Sequence, residues 1–411
     1  MNYQIEDVFS PRSFPQNTYI SRKLDDGETV DDRLKRALSM KGNLIFVTGA
    51  SKSGKTVLCH NVISSESYIA LSGNQISTKA DFWNHIAEQL PLSDAVVLTT
   101  GEQNSNNKGS QAELKLNLGI ASLGASINSN TGNNMNQQLA VTNNRTERQI
   151  IRYLIDNNKV LVLDDFHYIT ADMQMYIART LKTELFNGLK AVIISLPHRS
   201  DEAIICNPDL IGRTTSIEIL PWSAEELRAI AVKGFALLGL QIGEAEERLL
   251  AQESIASPQL MQENCFQLAF ASVQKQLAIQ PDLVRYAFRQ TARNYAHYER
   301  LVQAIRQGPA QGIGRRKSYL LQEGAVDIYQ LLLLALKADP PVTELPLAAL
   351  KERLRQLLCT QATPSSSVIS AALNKIIKIV AELMPDLDAL EYKNQCLYIL
   401  DPFLLFYLRW K

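Results

Sequence analysis

The segment GASKSGKT at 49–56 constrains this chain more than any other eight residues. It fits the pattern G-x-x-x-x-G-K-[ST], with Gly49, Gly54, Lys55 and Thr56 in register. An apolar run, NLIFVT at 43–48, precedes it, and TVLCHNVI at 56–63 follows as a helix. A strand that feeds a glycine-rich turn into a helix N-terminus aims several backbone N–H groups, and the positive end of the helix dipole, at one point. That is a phosphate cradle, and glycine allows the close approach it needs. The N–H groups of the loop, from Ser51, Lys52 and Ser53 through Gly54 to Val57, would wrap the β-phosphate of ATP or ADP. Lys55 would reach the β- and γ-phosphates, and the Thr56 hydroxyl would ligate Mg²⁺.

A second motif supplies the other half of such a site. VLVLDD at 160–165 is an apolar strand that ends in two carboxylates. The C-terminal edge of the strands is where open α/β sheets bind ligands. Asp164 would hold Mg²⁺ through water, and Asp165 sits where a general base or water-positioning residue belongs. Taken alone, a strand-end Asp-Asp turn explains these residues equally well; downstream of a phosphate loop, the functional reading gains. His167 follows closely and either tunes the site or packs in its loop.

Apolar runs and helical spacings alternate around these motifs. YIALS (68–72), LKAVIIS (189–195) and TTSIEIL (214–220) read as strands, while 79–90, 145–158 and 171–186 read as helices. Strands alternating with helices imply a parallel sheet. The fold class is therefore α/β, a P-loop NTPase core with a parallel sheet, followed by a helical lid and a winged-helix domain. The expected divisions are a lead-in at 1–40, a core at 41–222, a lid at 223–307 and a winged helix at 319–411. The core carries a polar, Asn- and Gly-rich insertion at 101–146, whose middle (113–128) alternates like a strand or hairpin. The last unit rests on three helices (325–339, 346–358, 365–383) and a hairpin turning at Lys393-Asn394.

Composition removes several function classes. Lys+Arg 42 against Asp+Glu 42 leaves no net charge, which argues against a strong non-specific polyanion binder. From 331 to 411 nine basic residues face eight acidic ones, so the last unit lacks the positive charge that a duplex reader concentrates. Lys375 and Lys378, one helical turn apart, are the exception. Five scattered cysteines without a C-x-x-C pair suit a reducing compartment. Five histidines without ligand spacing argue against a metallohydrolase. No stretch approaches the ~18 apolar residues of a membrane span, and the first residues do not read as a signal peptide, so a cytoplasmic location without membrane contact is expected.

GASKSGKTVL, LVLDDFHYI, SLPHR, IGRTTSIEIL and ASPQL, in that order, resemble the AAA+/STAND group of P-loop ATPases, in particular those joined to a C-terminal winged helix. The resemblance implies a nucleotide-driven switch that binds ATP and Mg²⁺. It makes Ser195, which ends a strand, the polar residue that senses the γ-phosphate, although a plain strand cap is the alternative. It makes Arg213 (with Arg199 as the other candidate) an arginine finger acting on the nucleotide of an adjacent subunit, hence a homo-oligomer in the ATP state. Pro258, at the first position of a lid helix capped by Ser257, would approach the nucleotide. Tyr19 and Arg22 are weaker candidates on the adenine side. The second acid is Asp where fast motors carry Glu, so turnover should be slow. Three functions stay open: STAND-like signalling, including anti-phage defence, with a separate effector protein; a DNA-transaction ATPase of the initiator or transposition type; and a scaffold that holds nucleotide without turnover.

Overall fold

The computed structural model describes residues 3–24, 26–91, 147–196, 212–309, 316–322, 324–359, 363–385, 387 and 389–411. The 101–146 insertion, its expected hairpin and Arg199 lie outside the described residues. Five parallel strands form the core sheet: β1 (Leu44–Gly49), β2 (Tyr68–Ser72), β3 (Val160–Asp164), β4 (Lys190–Ser195) and β5 (Thr214–Ile219). Their order is β2-β3-β4-β1-β5. Every residue of β1 is buried, because a parallel sheet is covered on both faces and its central strands read as unbroken apolar runs.

Alternation along each strand feeds two cores. Leu44, Phe46, Leu161, Leu163 and Ile193 face α4 (Lys79–Glu88), α5 (Glu147–Asp156) and α6 (Ala171–Phe186). Ile45, Val47, Val162, Val192 and Ile194 face α2 (Val30–Ser39) and α3 (Lys55–Val62). Helix starts follow from local chemistry. Thr78 and Asp81 close a reciprocal capping box on α4, satisfying N–H groups that a helix leaves open at its start.

A short α1 (Ile5–Val8) precedes the core in the chain. Past β5 come α7 (Ala224–Leu238), α8 (Glu244–Glu253), α9 (Pro258–Lys275), α10 (Pro281–Asn294) and α11 (Glu299–Gln307). Ser257 caps α9 and Pro258 is its first residue. Next are a small hairpin, β6 (Tyr319–Leu321) and β7 (Gly324–Val326), and then α12 (Ile328–Lys337), β8 (Glu344–Pro346), α13 (Leu347–Leu357) and α14 (Ser366–Leu383). The chain closes with β9 (Leu390–Lys393), β10 (Cys396–Ile399) and α15 (Pro402–Trp410). Strands β8, β10 and β9 form a three-stranded antiparallel sheet. The β9–β10 turn falls on Asn394 and Gln395, one residue later than the sequence suggests; both take left-handed φ values of 52° and 57°. Two successive positive φ angles match the twist of a two-residue hairpin.

Lid and C-terminal unit share one hydrophobic core, which also takes in Val8 and Phe9 of the lead-in. Phe288 of α10 meets Phe406 of α15 edge-on at 5.8 Å between ring centroids. Arg409 clasps both oxygens of Glu253 with Nε and Nη2, at 2.9 and 2.5 Å, and the Trp410 indole donates to the same carboxylate at 2.6 Å. Glu253 is 2% exposed, and a carboxylate so placed requires such partners. Among the described residues no helix is long and apolar enough to cross a membrane.

Candidate nucleotide site

The C-terminal ends of β1, β3 and β4 meet on one sheet edge. Register pairs Thr48 with Ser195, and Ser72 with Asp164. From β1 the chain enters the loop 49–54. A Cβ on Gly49 would lie 2.7 Å from the Ile219 carbonyl oxygen and 2.9 Å from the Ile219 Cβ, so the loop fits against β5 only with glycine there. Gly54 opens α3 as its N-cap at φ 97°, a left-handed conformation that glycine adopts without steric cost. The N–H groups at the start of α3 have no partner within the helix, as at every helix start.

Lys55 folds back over this loop. Its ammonium donates to the carbonyls of Gly49 (2.9 Å) and Ala50 (2.7 Å). Burial lowers its pKa to about 8, against the opposing pull of Asp164 and Asp165. Thr56 donates its hydroxyl to the Asp164 carboxylate. The other Asp164 oxygen accepts the Asp165 backbone N–H at 2.8 Å. Asp165 itself is left-handed, at φ 56°, a conformation Asp tolerates better than most residues. Burial, then the charge of Asp164, raises its pKa, while Lys55 and Lys52 oppose the shift. Gly73, just after β2, lies under this turn: a Cβ there would stand 2.1 Å from the Asp165 carbonyl oxygen.

The geometry thus brings together the loop residues Gly49 through Val57, with Thr56, Asp164 and Asp165 beside them. Ser195 ends β4 next to β1 at 1% exposure, and its hydroxyl has no hydrogen-bond partner among the described residues. The buried Ser53 hydroxyl is in the same condition. A hydroxyl and a carboxylate oxygen in direct contact beside a phosphate cradle suit Mg²⁺, which takes one or two protein oxygens and completes its shell with water and phosphate. No cluster of three or more His, Cys, Asp or Glu exists among the described residues, and a magnesium site of this kind needs none.

The other expected residues make contacts of their own. Arg213 is exposed just before β5, where its carbonyl accepts the Leu44 N–H at 2.9 Å. That is the N-terminal edge of the sheet, and the six residues of β5 separate it from the phosphate loop by about 20 Å at ~3.3 Å per residue. It cannot serve the nucleotide of its own chain. Pro258 is in the first turn of α9, an element packed on α1, α7, α8 and α10. Tyr19 donates to Asp31 at 2.7 Å. Arg22 is spent on Glu226 and on the Leu220 and Pro221 carbonyls.

Three contacts had no signal in the motifs. Gly73 supports Asp165. The Trp222 indole N–H donates to the Ser53 carbonyl at 2.8 Å. The ammonium of Lys52 stands 4.7 Å from the ring centre of Phe403 in α15.

Fold and site together define a P-loop NTPase core of the α/β class. No family model matches the chain, and no curated protein matches it. Solved structures similar to it include Cdc6p from Pyrobaculum aerophilum, at 13% identity over 98% of this chain and 97% of that one, with a TM-score of 0.45. The ORC2 protein from Aeropyrum pernix shows 13% identity, the same coverage and a TM-score of 0.48. The RuvB Holliday junction branch migration motor from Thermotoga maritima shows 13% identity over 90% of each chain, with a TM-score of 0.41. These likenesses are distant, and the assignment above rests on the sheet order and the loop geometry of this chain.

Proposed function

We propose that this chain is an ATP-binding, slowly hydrolysing switch that self-associates in its ATP state. One observation carries the reading: Lys55, Thr56, Asp164 and Asp165 converge at a glycine-shaped helix N-terminus on one sheet edge. Phosphate oxygens would take over the Lys55 ammonium from the Gly49 and Ala50 carbonyls. The loop N–H groups would orient the β-phosphate, and Thr56 with Asp164 would hold Mg²⁺. The ion would supply charge neutralisation at the phosphates. Asp165, whose pKa is raised by burial, would orient the attacking water and accept its proton. Its carboxylate is one methylene shorter than glutamate, which argues for slow turnover. Ser195 would donate its free hydroxyl toward the γ-phosphate.

The switch reading draws support from Lys52, which lies in the phosphate loop yet touches Phe403 of α15. A loop rearranged around phosphate would alter that contact and so reach the shared core of lid and C-terminal unit. Arg213, on the far sheet edge, is suited to act only on another copy. An effector protein as separate partner, and a cytoplasmic location, belong to this reading. The alternative is a DNA-transaction ATPase whose last unit is a winged helix. Its support is that Lys375 and Lys378 are exposed on α14.

Solution mass measured by light scattering tests the proposal. With Mg²⁺ and a non-hydrolysable ATP analogue the mass should grow to a defined oligomer, with Mg²⁺-ADP it should not, and Arg213→Ala should slow turnover without weakening ATP binding. An unchanged mass with the analogue would overturn the self-association.

A further inference from the structure

We infer that Trp222 is a positioning residue for phosphate binding, holding the Ser53–Gly54 peptide so that its N–H faces the ligand. This deepens the proposed function and rests on it. In a trans peptide the C=O and the following N–H point in opposite directions within one plane. The Trp222 indole donates to the Ser53 carbonyl at 2.8 Å. Holding that carbonyl outward turns the Gly54 N–H inward, toward the cradle. Gly54 is the N-cap of α3 and left-handed at φ 97°. With glycine's broad freedom in φ and ψ, its own conformation does little to fix the plane of that peptide, so an external anchor is needed.

The anchor is itself held. The Arg22 guanidinium lies 4.7 Å from the centre of the Trp222 ring. It is fixed there by donating to Glu226 (2.8 and 3.1 Å), to the Leu220 carbonyl (2.8 Å) and to the Pro221 carbonyl (3.2 Å). Trp222 also packs against the lid core and immediately precedes Ser223, the cap of α7. The segment between β5 and the lid therefore shares one hydrogen bond with the phosphate loop. A lid that moves carries Trp222 with it, so lid position and phosphate affinity are coupled.

Two variants of the full chain test this. Trp222→Phe keeps an aromatic ring for Arg22 and removes the donor. Replacing the indole by the isosteric benzothiophene keeps shape and burial and removes only the N–H, which covers the case in which Trp222→Phe does not fold. Inorganic pyrophosphate and adenosine are the probes, with Lys55→Ala as reference. Losing one hydrogen bond at the cradle should weaken pyrophosphate about fivefold to tenfold, with adenosine affinity unchanged. Wild-type pyrophosphate affinity in both variants, with Lys55→Ala having lost it, would overturn the inference and leave the proposed function standing. Equal weakening of pyrophosphate and adenosine would also overturn it, since a merely structural Trp222 predicts that. Wild-type pyrophosphate affinity in Lys55→Ala would remove the nucleotide site and both proposals with it.

Discussion

The ammonium of Lys55 rests on two backbone carbonyls, and burial depresses its pKa to about 8. A bound polyphosphate replaces those dipoles with full negative charges, which favour the charged form and raise the pKa again. The free protein then loses the proton above about pH 8, while the complex keeps it. Binding takes up a proton in that window, so affinity must fall as pH rises through it. Titration calorimetry should find ADP affinity level around pH 7 and weakening from about pH 8 upward, toward tenfold per unit, with proton uptake visible as buffer-dependent heat. Equal affinity at pH 7 and 9.5 would contradict this account of Lys55. At this scale the sequence was informative, because Gly49, Gly54, Lys55, Thr56, Asp164 and Asp165 are chosen for chemistry that few other residues supply. Arg213 was less so: its place before a strand was plain, but only the register shows that this lies on the sheet edge away from the phosphate loop. No motif marks Trp222, since its partner Ser53 is far away in the chain.

Among the elements, the turn after β3 depends on the residue after β2. Gly73 approaches the Asp165 carbonyl so closely that a methyl group cannot fit, with 2.1 Å between the would-be Cβ and that oxygen. Gly73→Ala should push the Asp164–Asp165 turn off its position. Overpacking of this kind costs about 1–3 kcal/mol, which urea denaturation would measure, and Mg²⁺-dependent turnover should drop at least about tenfold, since small misplacements of catalytic groups are costly. Wild-type stability and turnover in this variant would show that the turn has room to adapt. The longer strands and helices of the core could be read from periodicity because each buries one face or both. Strands β6, β7 and β8 span three residues each, too few for an alternation to register. The β9–β10 turn was misplaced by one residue because neither Asn394 nor Gln395 is glycine, the usual marker of a left-handed position.

For the whole molecule, the defining feature is that the phosphate loop touches both the segment leading into the lid and the C-terminal unit: Trp222, just ahead of the lid, bonds Ser53, and Phe403 of α15 meets Lys52. The joining of Phe288 to Phe406, and of Glu253 to Arg409 and Trp410, makes lid and C-terminal unit one packed body. Such long-range contacts leave no periodic trace, so the sequence suggests two separate units. A nucleotide switch requires first that the cradle hold nucleotide. The most direct test is calorimetric titration of the wild-type chain and Lys55→Ala with Mg²⁺-ATP, after circular dichroism has shown both to be folded. The wild type should bind one ATP per chain. The variant, having lost a buried charge partner of the phosphates, should bind at least about thirtyfold more weakly. Wild-type affinity in Lys55→Ala, or no binding by the wild-type chain, would contradict the account at its centre.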